Sequence, residues 1–278
     1  MLYHAPYHLI ALDVDGTLLD SAHRLRPRVI AAVRAAHAAG LAITLATGKL
    51  LPSVEPLLDA LGVGGPQITL NGAATIIRET RDVLRFCPLA EAERRAVIAA
   101  VRAADPDVLI SHFTQDAIYM DRAHPLISIL TEYGEGPPVL VPDLLGDDLP
   151  PAGKILLSGP PERLARLRAT VAPRFAGRVT VTTTTPDFLE FFALDAGKGL
   201  ALAALRAELG LPRTSVIAIG DGENDLPLLR EAGLAVAMAN GAAATRAAAH
   251  VVTASHDEDG VALFLERLLR GEVPAPGG

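Results

Sequence analysis

An apolar tetrapeptide, Leu9-Ile10-Ala11-Leu12, runs directly into Asp13-Val14-Asp15-Gly16-Thr17. An apolar run without alternation is the pattern of a strand buried on both faces, and so of a parallel sheet. Residues i and i+2 of an extended chain point the same way, so Asp13 and Asp15 leave the strand on one side. Two like charges there repel unless a cation lies between them. Oxygen-only donors at close quarters suit a hard divalent ion, most simply magnesium. Gly16 permits a sharp turn, and the Thr17 hydroxyl can bond the backbone it has just left. An ordinary turn after a strand uses the same residue types, so the remaining clusters carry the decision.

The segments that follow alternate strand and helix. Residues 26–39 place Val29, Ile30, Val33 and Ala36 on one helical stripe between Pro27 and Gly40. Residues 41–46 read as a second apolar strand that delivers Thr47, Gly48 and Lys49, and 52–61 as a helix ended by Gly62. Residues 67–70 form a strand running into Asn71 and Gly72. This is the rhythm of an open parallel sheet, where ligands gather beyond the carboxyl ends of the strands.

Between about Phe86 and Ala193 the texture changes to a helix at 89–104, strands at 108–113 and 117–120, and a Pro/Gly-rich excursion at 134–151. A strand at 154–158, a helix at 161–171 and a hairpin of strands at 179–185 and 188–193 complete this part. The run Thr182 to Thr185 is strand-favouring and need mean no more. The first pattern then resumes with a helix at 198–209 and a strand at 215–219 ending in Gly220-Asp221-Gly222-Glu223-Asn224-Asp225. Helices at 226–232, 242–249 and 260–269 alternate with strands at 235–238 and 251–252, and the tail at 272–278 is expected to be disordered. The predicted architecture is α/β: a doubly wound, Rossmann-like parallel-sheet core from 1–84 and 194–278, with an inserted α+β cap domain at 85–193.

A net charge of −7 with no basic block argues against nucleic acid as a partner. An anionic substrate would have to be met by local cations, a metal or backbone amides. Cys87 is the only cysteine, which excludes an intramolecular disulfide and fits a reducing compartment. It is flanked by Phe86 and Pro88, and packing is its simplest role. The first residues lack the features of a signal peptide, and no apolar run reads as membrane-spanning, so the cytoplasm is the expected location. The eight histidines show no zinc-ligand spacing.

Three further clusters sit at element ends. Asp221, Asn224 and Asp225 follow an apolar strand and would complete an oxygen cage, or else form an Asx-rich turn capping the next helix. Lys198 opens a helix, where its charge opposes the dipole; a solvated lysine is the alternative. Thr47 and Gly48 fit an anion-binding turn or a plain helix N-cap.

DVDGTLLD resembles the first signature of the haloacid dehalogenase superfamily, whose members are mostly phosphatases. GDGEND at 220–225 is similar to the fourth, Lys198 in DAGKGLAL to the third, and Thr47-Gly48 in LATGK to the second. The resemblance extends over the whole chain, including MAN at 238–240 and DEDGVA at 257–262. The place of the insertion, between the second and third signatures, resembles the Cof-like phosphatases with a large α/β cap.

The resemblance implies hydrolysis of small phosphate monoesters, sugar phosphates foremost, through an aspartyl-phosphate. In that scheme Asp13 is the nucleophile and Asp15 the general acid and base. Magnesium is held by Asp13, the Asp15 backbone carbonyl and Asp221. Lys198, Thr47, Gly48, Asn224 and the backbone amide of Val14 hold the phosphoryl oxygens, while Asp225 orients Lys198, with Thr17 also beside the site. Lys49 stands where many relatives carry Arg, which keeps the charge but not the bidentate geometry. Lys49, Asn71 and the cap residues His112, Phe113, Asp116 and Tyr119 are candidates for setting specificity. The implied partner is a small phosphorylated metabolite, met by a monomer or homodimer. The same residues would serve a phosphomutase or phosphotransferase. A non-catalytic phospho-Asp receiver shares the paired carboxylates and lysine, but is shorter and uncapped and has no need of Asp15.

Overall fold

The computed structural model describes residues 6–273, so the tail expectation lies outside the described residues from 274 onward. In chain order the elements are β1 (Leu9–Leu12), α1 (Pro27–Ala38), β2 (Ala42–Leu45), α2 (Leu51–Leu61), β3 (Pro66–Thr69), β4 (Ala74–Ile77), β5 (Val83–Phe86) and α3 (Glu91–Ala104). Next come β6 (Leu109–Phe113), β7 (Ile118–Met120), α4 (Ser128–Glu132), β8 (Val139–Leu140), β9 (Lys154–Ser158), α5 (Pro161–Val171), β10 (Val179–Thr185) and β11 (Phe188–Ala193). The remainder is α6 (Lys198–Glu208), β12 (Val216–Gly220), α7 (Leu226–Glu231), β13 (Leu234–Ala237), α8 (Ala243–Ala248), β14 (Val251–Val252) and α9 (Gly260–Leu269).

Every residue of β1 is buried, as its composition demands. It pairs in parallel with β12 on one side and β2 on the other, with Leu12 opposite both Ile219 and Leu45. The five strands of this sheet run in the order β14-β13-β12-β1-β2, all parallel. Because the neighbouring strands β12, β1 and β2 end level, Asp13, Thr47 and Asp221 emerge side by side along one edge. Ile10 and Leu12 pack in one core with Val33 of α1 and Phe264 of α9, whereas Leu9 and Ala11 pack in another with Leu202 of α6 and Leu228 of α7. Burying one such aliphatic side chain is worth about 1.5–3 kcal/mol, so the two layers clamp the edge that carries the polar residues. The stripe Val29, Ala32, Val33 and Ala36 is the buried face of α1, and α2 stops at Gly62 in the left-handed region (φ 67°).

One departure from the sequence expectation concerns β3. It joins the parallel sheet only through a bridge between Ala46 and Ile68 and otherwise pairs antiparallel with β4, which pairs with β5. Neither β4 nor β5 was anticipated. β4 lies at the end of an uncharged stretch with no alternation to mark a strand, and β5 is a short edge with Val83 and Leu84 exposed. The division drawn between residues 84 and 85 runs through β5. Two short elements, α4 and β8, were also not anticipated; α4 lies just before the Pro/Gly-rich passage and β8 within it.

Residues 109–193 form a six-stranded sheet in the order β10-β11-β9-β6-β7-β8, antiparallel except between β7 and β8. Helices α3 and α5 cover one face, where Val97, Ile98, Val101, Leu164 and Leu167 meet Ile110, Ile155, Leu157, Leu189 and Phe191. Alternation turns Phe113, Lys154, Leu156, Phe188 and Glu190 to the other face, and these line a common cleft with Asp13, Asp15 and Asp221.

Candidate active site

Asp13 is the first residue beyond β1, and its N–H is held by Ile219 O at 3.0 Å. Lys198 Nζ donates to Asp13 Oδ1 and to Asp225 Oδ1, at 2.6 Å each. Lys198 is the first residue of α6 and only 1% exposed, so the two carboxylates offset both its burial and the helix dipole. The start of α6 is brought close by Gly72 (φ 89°), where a Cβ would lie 2.2 Å from Gly197 O. Asp225 Oδ2 accepts the N–H groups of Asp221 and Gly222 at 2.9 Å each, so both its oxygens are engaged. The Thr17 hydroxyl donates to Asp221 Oδ1 at 3.0 Å. Gly16 takes φ 77° beneath it, and a Cβ there would lie 2.5 Å from Asp221 Oδ2.

One oxygen each of Asp13, Asp221 and Asp225 lie within 4.8 Å of one another. Burial, with Asp225 close by, pushes the Asp13 carboxyl well above the usual range and Asp221 up to about 7. Burial opposes the Lys198 charge, but Asp13 and Asp225 outweigh it and hold the ammonium above its ordinary range. Three clustered carboxylates thus share one ammonium. An all-oxygen set short of positive charge fits a hard divalent cation.

Asp15 projects into the cleft. Burial works to raise its pKa, but the His23 hydrogen bond and the Lys49 charge outweigh it and hold the carboxyl below its usual range. Lys49 Nζ lies 3.1 Å from Asp15 Oδ2 and also donates to the Tyr133 carbonyl on the far wall. Thr47 is buried, and its hydroxyl accepts the Lys49 N–H at 3.1 Å. The Val14 side chain is in the core, so only its backbone is available to a ligand. Gly48 and Asn224 line the cleft. Asn71 lies in the left-handed region (φ 54°) and accepts from Asn224 Nδ2 at 3.0 Å, while its own Nδ2 donates to Glu190 Oε2 at 2.6 Å.

Of the four cap candidates, Phe113 alone lines the cleft. His112 and Tyr119 pair across β6 and β7 on the face covered by α3 and α5, where His112 Nε2 donates to Pro150 O at 2.9 Å. Asp116 is exposed at the turn and accepts from Thr114. Alternation puts His112 and Phe113 on opposite faces, so one of the two had to be misplaced. Lys154, Glu190, Tyr133, Thr184 and Phe188 line the cleft and were not anticipated. The signal for two of them was a lone charge in an apolar strand: Lys154 in KILLS and Glu190 in FLEFFA. The Cys87 thiol is half-buried, and burial pushes its pKa up, away from nucleophilic use.

An acidic cluster with a buried lysine at the carboxyl edge of a parallel sheet, roofed by a second sheet, defines an α/β protein whose site can handle an anionic group. The chain belongs to the haloacid dehalogenase-like hydrolases, whose family model matches residues 10–265, and within them to the phosphatases. It is 30% identical over 248 residues to the HMP-PP phosphatase of Serratia proteamaculans, covering 84% of each chain. It is 29% identical to the phosphoglycolate phosphatase of Methanopyrus kandleri, over 96% of this chain and 99% of that one. A crystal structure of a haloacid dehalogenase-like hydrolase from Bacteroides thetaiotaomicron superposes with a TM-score of 0.83 at 29% identity, covering 94% of this chain and 99% of that chain. Among the described residues no helix is long and apolar enough to cross a membrane.

Proposed function

We propose that the protein hydrolyses small phosphate monoesters, sugar phosphates foremost, with magnesium bound and through a transient acyl phosphate on Asp13. The observation that carries this reading is Lys198, buried between Asp13 and Asp225 with Asp221 alongside. The ammonium holds Asp13 Oδ1, which leaves Oδ2 to attack phosphorus in line with the leaving oxygen. Lys198, Asn224, the Thr47 hydroxyl and the amides near Val14 and Gly48 would hold the phosphoryl oxygens. Asp13, Asp221 and the Asp15 carbonyl would hold magnesium, which when bound supplies the positive charge that lets a dianion approach a carboxylate.

Asp15 would give a proton to the leaving oxygen and later take one from the attacking water. Its depressed pKa suits the second step. For the first, the incoming phosphate places negative charge beside it and favours protonation. Residues 85–193 act in this reading as a cap that closes the cleft over the leaving group, with 1–84 and 194–278 as the catalytic core. The two relatives differ in the substrates they are named for, so the substrate itself follows from this chain's own cleft. The reading places the enzyme in the cytoplasm as a monomer or homodimer acting on a small phosphorylated metabolite.

The test is turnover of p-nitrophenyl phosphate together with acid-quench mass spectrometry of the peptide carrying Asp13. The native protein should show a phosphoryl adduct on that peptide. Asp13→Asn should stay folded and lose both adduct and turnover, whereas retained turnover removes the nucleophile assignment. Asp15→Asn should slow formation and breakdown of the adduct alike.

A further inference from the structure

The chain just beyond β13 is bonded to both acidic turns, although none of its residues takes part in phosphoryl transfer. Met238 N donates to Gly220 O at 3.1 Å, Ala242 N to Asp221 O at 2.9 Å, and the Thr245 hydroxyl to Gly222 O at 2.9 Å. Three successive carbonyls of the turn that carries Asp221 are thus held by residues 238–245. Gly241 packs against that turn so closely that a Cβ would lie 3.1 Å from Asp221 Cα and 2.9 Å from Asp221 O.

The same segment reaches the other turn through one side chain. Asn240 Nδ2 donates to Gly16 O at 2.8 Å, and Asn240 Oδ1 accepts the His256 N–H at 3.0 Å. A carbonyl only accepts and a backbone N–H only donates, so the amide has a single workable orientation. Arg246 fixes the backbone on either side of Asn240, donating to Ala239 O at 3.3 Å and to Gly241 O. Asn240 is exposed, yet both ends of its amide are committed to backbone 224 and 16 residues away.

We propose that Asn240 is a positioning residue of the cation site: it fixes the Gly16 turn, and with it the Asp15 carbonyl, at the separation from Asp221 that one divalent ion bridges. This assignment rests on the reading that Asp13, Asp221 and the Asp15 carbonyl hold magnesium, and it adds what sets their spacing. Gly16 shares a planar peptide with the Asp15 carbonyl, so the setting of Gly16 aims that oxygen. A glycine restrains its own backbone least of all residues, and this one sits at φ 77°. The restraint comes from its neighbours: Asn240 on the Gly16 carbonyl, and the Thr17 hydroxyl on Asp221 Oδ1 at 3.0 Å. Residues 238–245 therefore act as one template for two turns, holding the first through Asn240 and the second through Ala242 and Thr245. Asn240 bonds backbone groups alone, so it acts through the turn and not on the reacting atoms.

The test is calorimetric titration of magnesium into the native protein, Asn240→Ala, Asn240→Gln and Thr245→Val, with Tm recorded without the metal. Asn240→Ala should raise the magnesium Kd about 10-fold, while its Tm without magnesium stays within about 3 °C of native. At saturating magnesium its kcat on p-nitrophenyl phosphate should fall about 10-fold with KM little changed, because Asp15 is displaced while Lys198 and Asn224 are not. Asn240→Gln keeps an amide donor at an exposed position and should retain more of the affinity. Thr245 is fully buried; Thr245→Val removes one bond to the Asp221 turn and should raise Kd about 2- to 10-fold. A purely structural Asn240 would lower Tm and leave the Kd of the folded protein alone. A Kd within about twofold of native in Asn240→Ala overturns the proposal; should that variant not fold, an unchanged Kd in Thr245→Val does so. If the native protein binds no magnesium, the cation reading itself falls; native binding that Asn240→Ala leaves intact sinks this inference alone.

Discussion

Lys198 Nζ lies 2.6 Å from Asp13 Oδ1 although 185 residues separate them in the chain. One ammonium, 1% exposed, thereby neutralises part of a cluster of three carboxylates. Removing one member of a buried charge set strands the rest, typically at about 3–5 kcal/mol. Lys198→Met should therefore lower the unfolding free energy read from urea melts by an amount of that order without magnesium, and by less with it. Its kcat should fall by at least about 10²-fold. A variant as stable and active as the native protein would show that Lys198 is only a structural neighbour of Asp13.

Gly16 is a sharper probe of the same cluster. Its φ of 77° strains any other residue, and a Cβ would sit 2.5 Å from Asp221 Oδ2. Gly16→Ala should push the Asp221 carboxylate aside and weaken magnesium binding by about 10-fold or more, with the fold otherwise kept. Calorimetric titration of magnesium reads this directly; an unchanged Kd would place Asp221 outside the cation site.

Removing the metal should stop turnover reversibly and lower Tm. Magnesium at about a hundred times its Kd should stabilise the protein by roughly 2.7 kcal/mol, since it binds only the folded cage. Binding also has a pH signature. Asp221 without a cation is pushed up to about 7, chiefly by burial. A cation needs the carboxylate form, so protons compete for Asp221 below that pH, and for Asp13, which burial also pushes up. Magnesium affinity should therefore fall as pH drops below about 7, by about tenfold per unit for each carboxylate that takes up a proton. A Kd that is constant from pH 5 to 8 contradicts this.

The acidic half of the cleft was legible as a cluster because its residues break local rules. Asp13 and Asp221 each follow a fully apolar strand, and Lys198 opposes a helix dipole at a buried position. The cap half was not legible. Strand alternation separates His112 from Phe113 but does not say which face is inward; that depends on α3 and α5 packing against Ile110 and Ile155. Lys154 and Glu190 are single charges in apolar strands, a pattern shared with edge positions that face solvent. The Thr184 hydroxyl was hidden in a run that reads only as strand propensity, and β4 in an apolar stretch without period.

His112 offers a test of that face assignment. It is fully buried; Nε2 donates to Pro150 O, while Nδ1 has no partner among the described residues. A proton on Nδ1 would therefore be buried without an acceptor, and burial brings the folded pKa down from 6.5 to about 4. Between those values the unfolded chain takes up a proton that the folded chain refuses. The stabilising contribution is thus complete above pH 6.5 and is lost as pH falls towards about 4. By pH 4.5 the loss amounts to about 2–3 kcal/mol. His112→Gln keeps a donor for Pro150 O and removes the titration. Between pH 7 and 4.5 the native protein should lose about 2–3 kcal/mol more than His112→Gln, read from urea midpoints. Equal losses would mean that His112 reaches solvent, and with it that β6 presents the opposite face to the cleft.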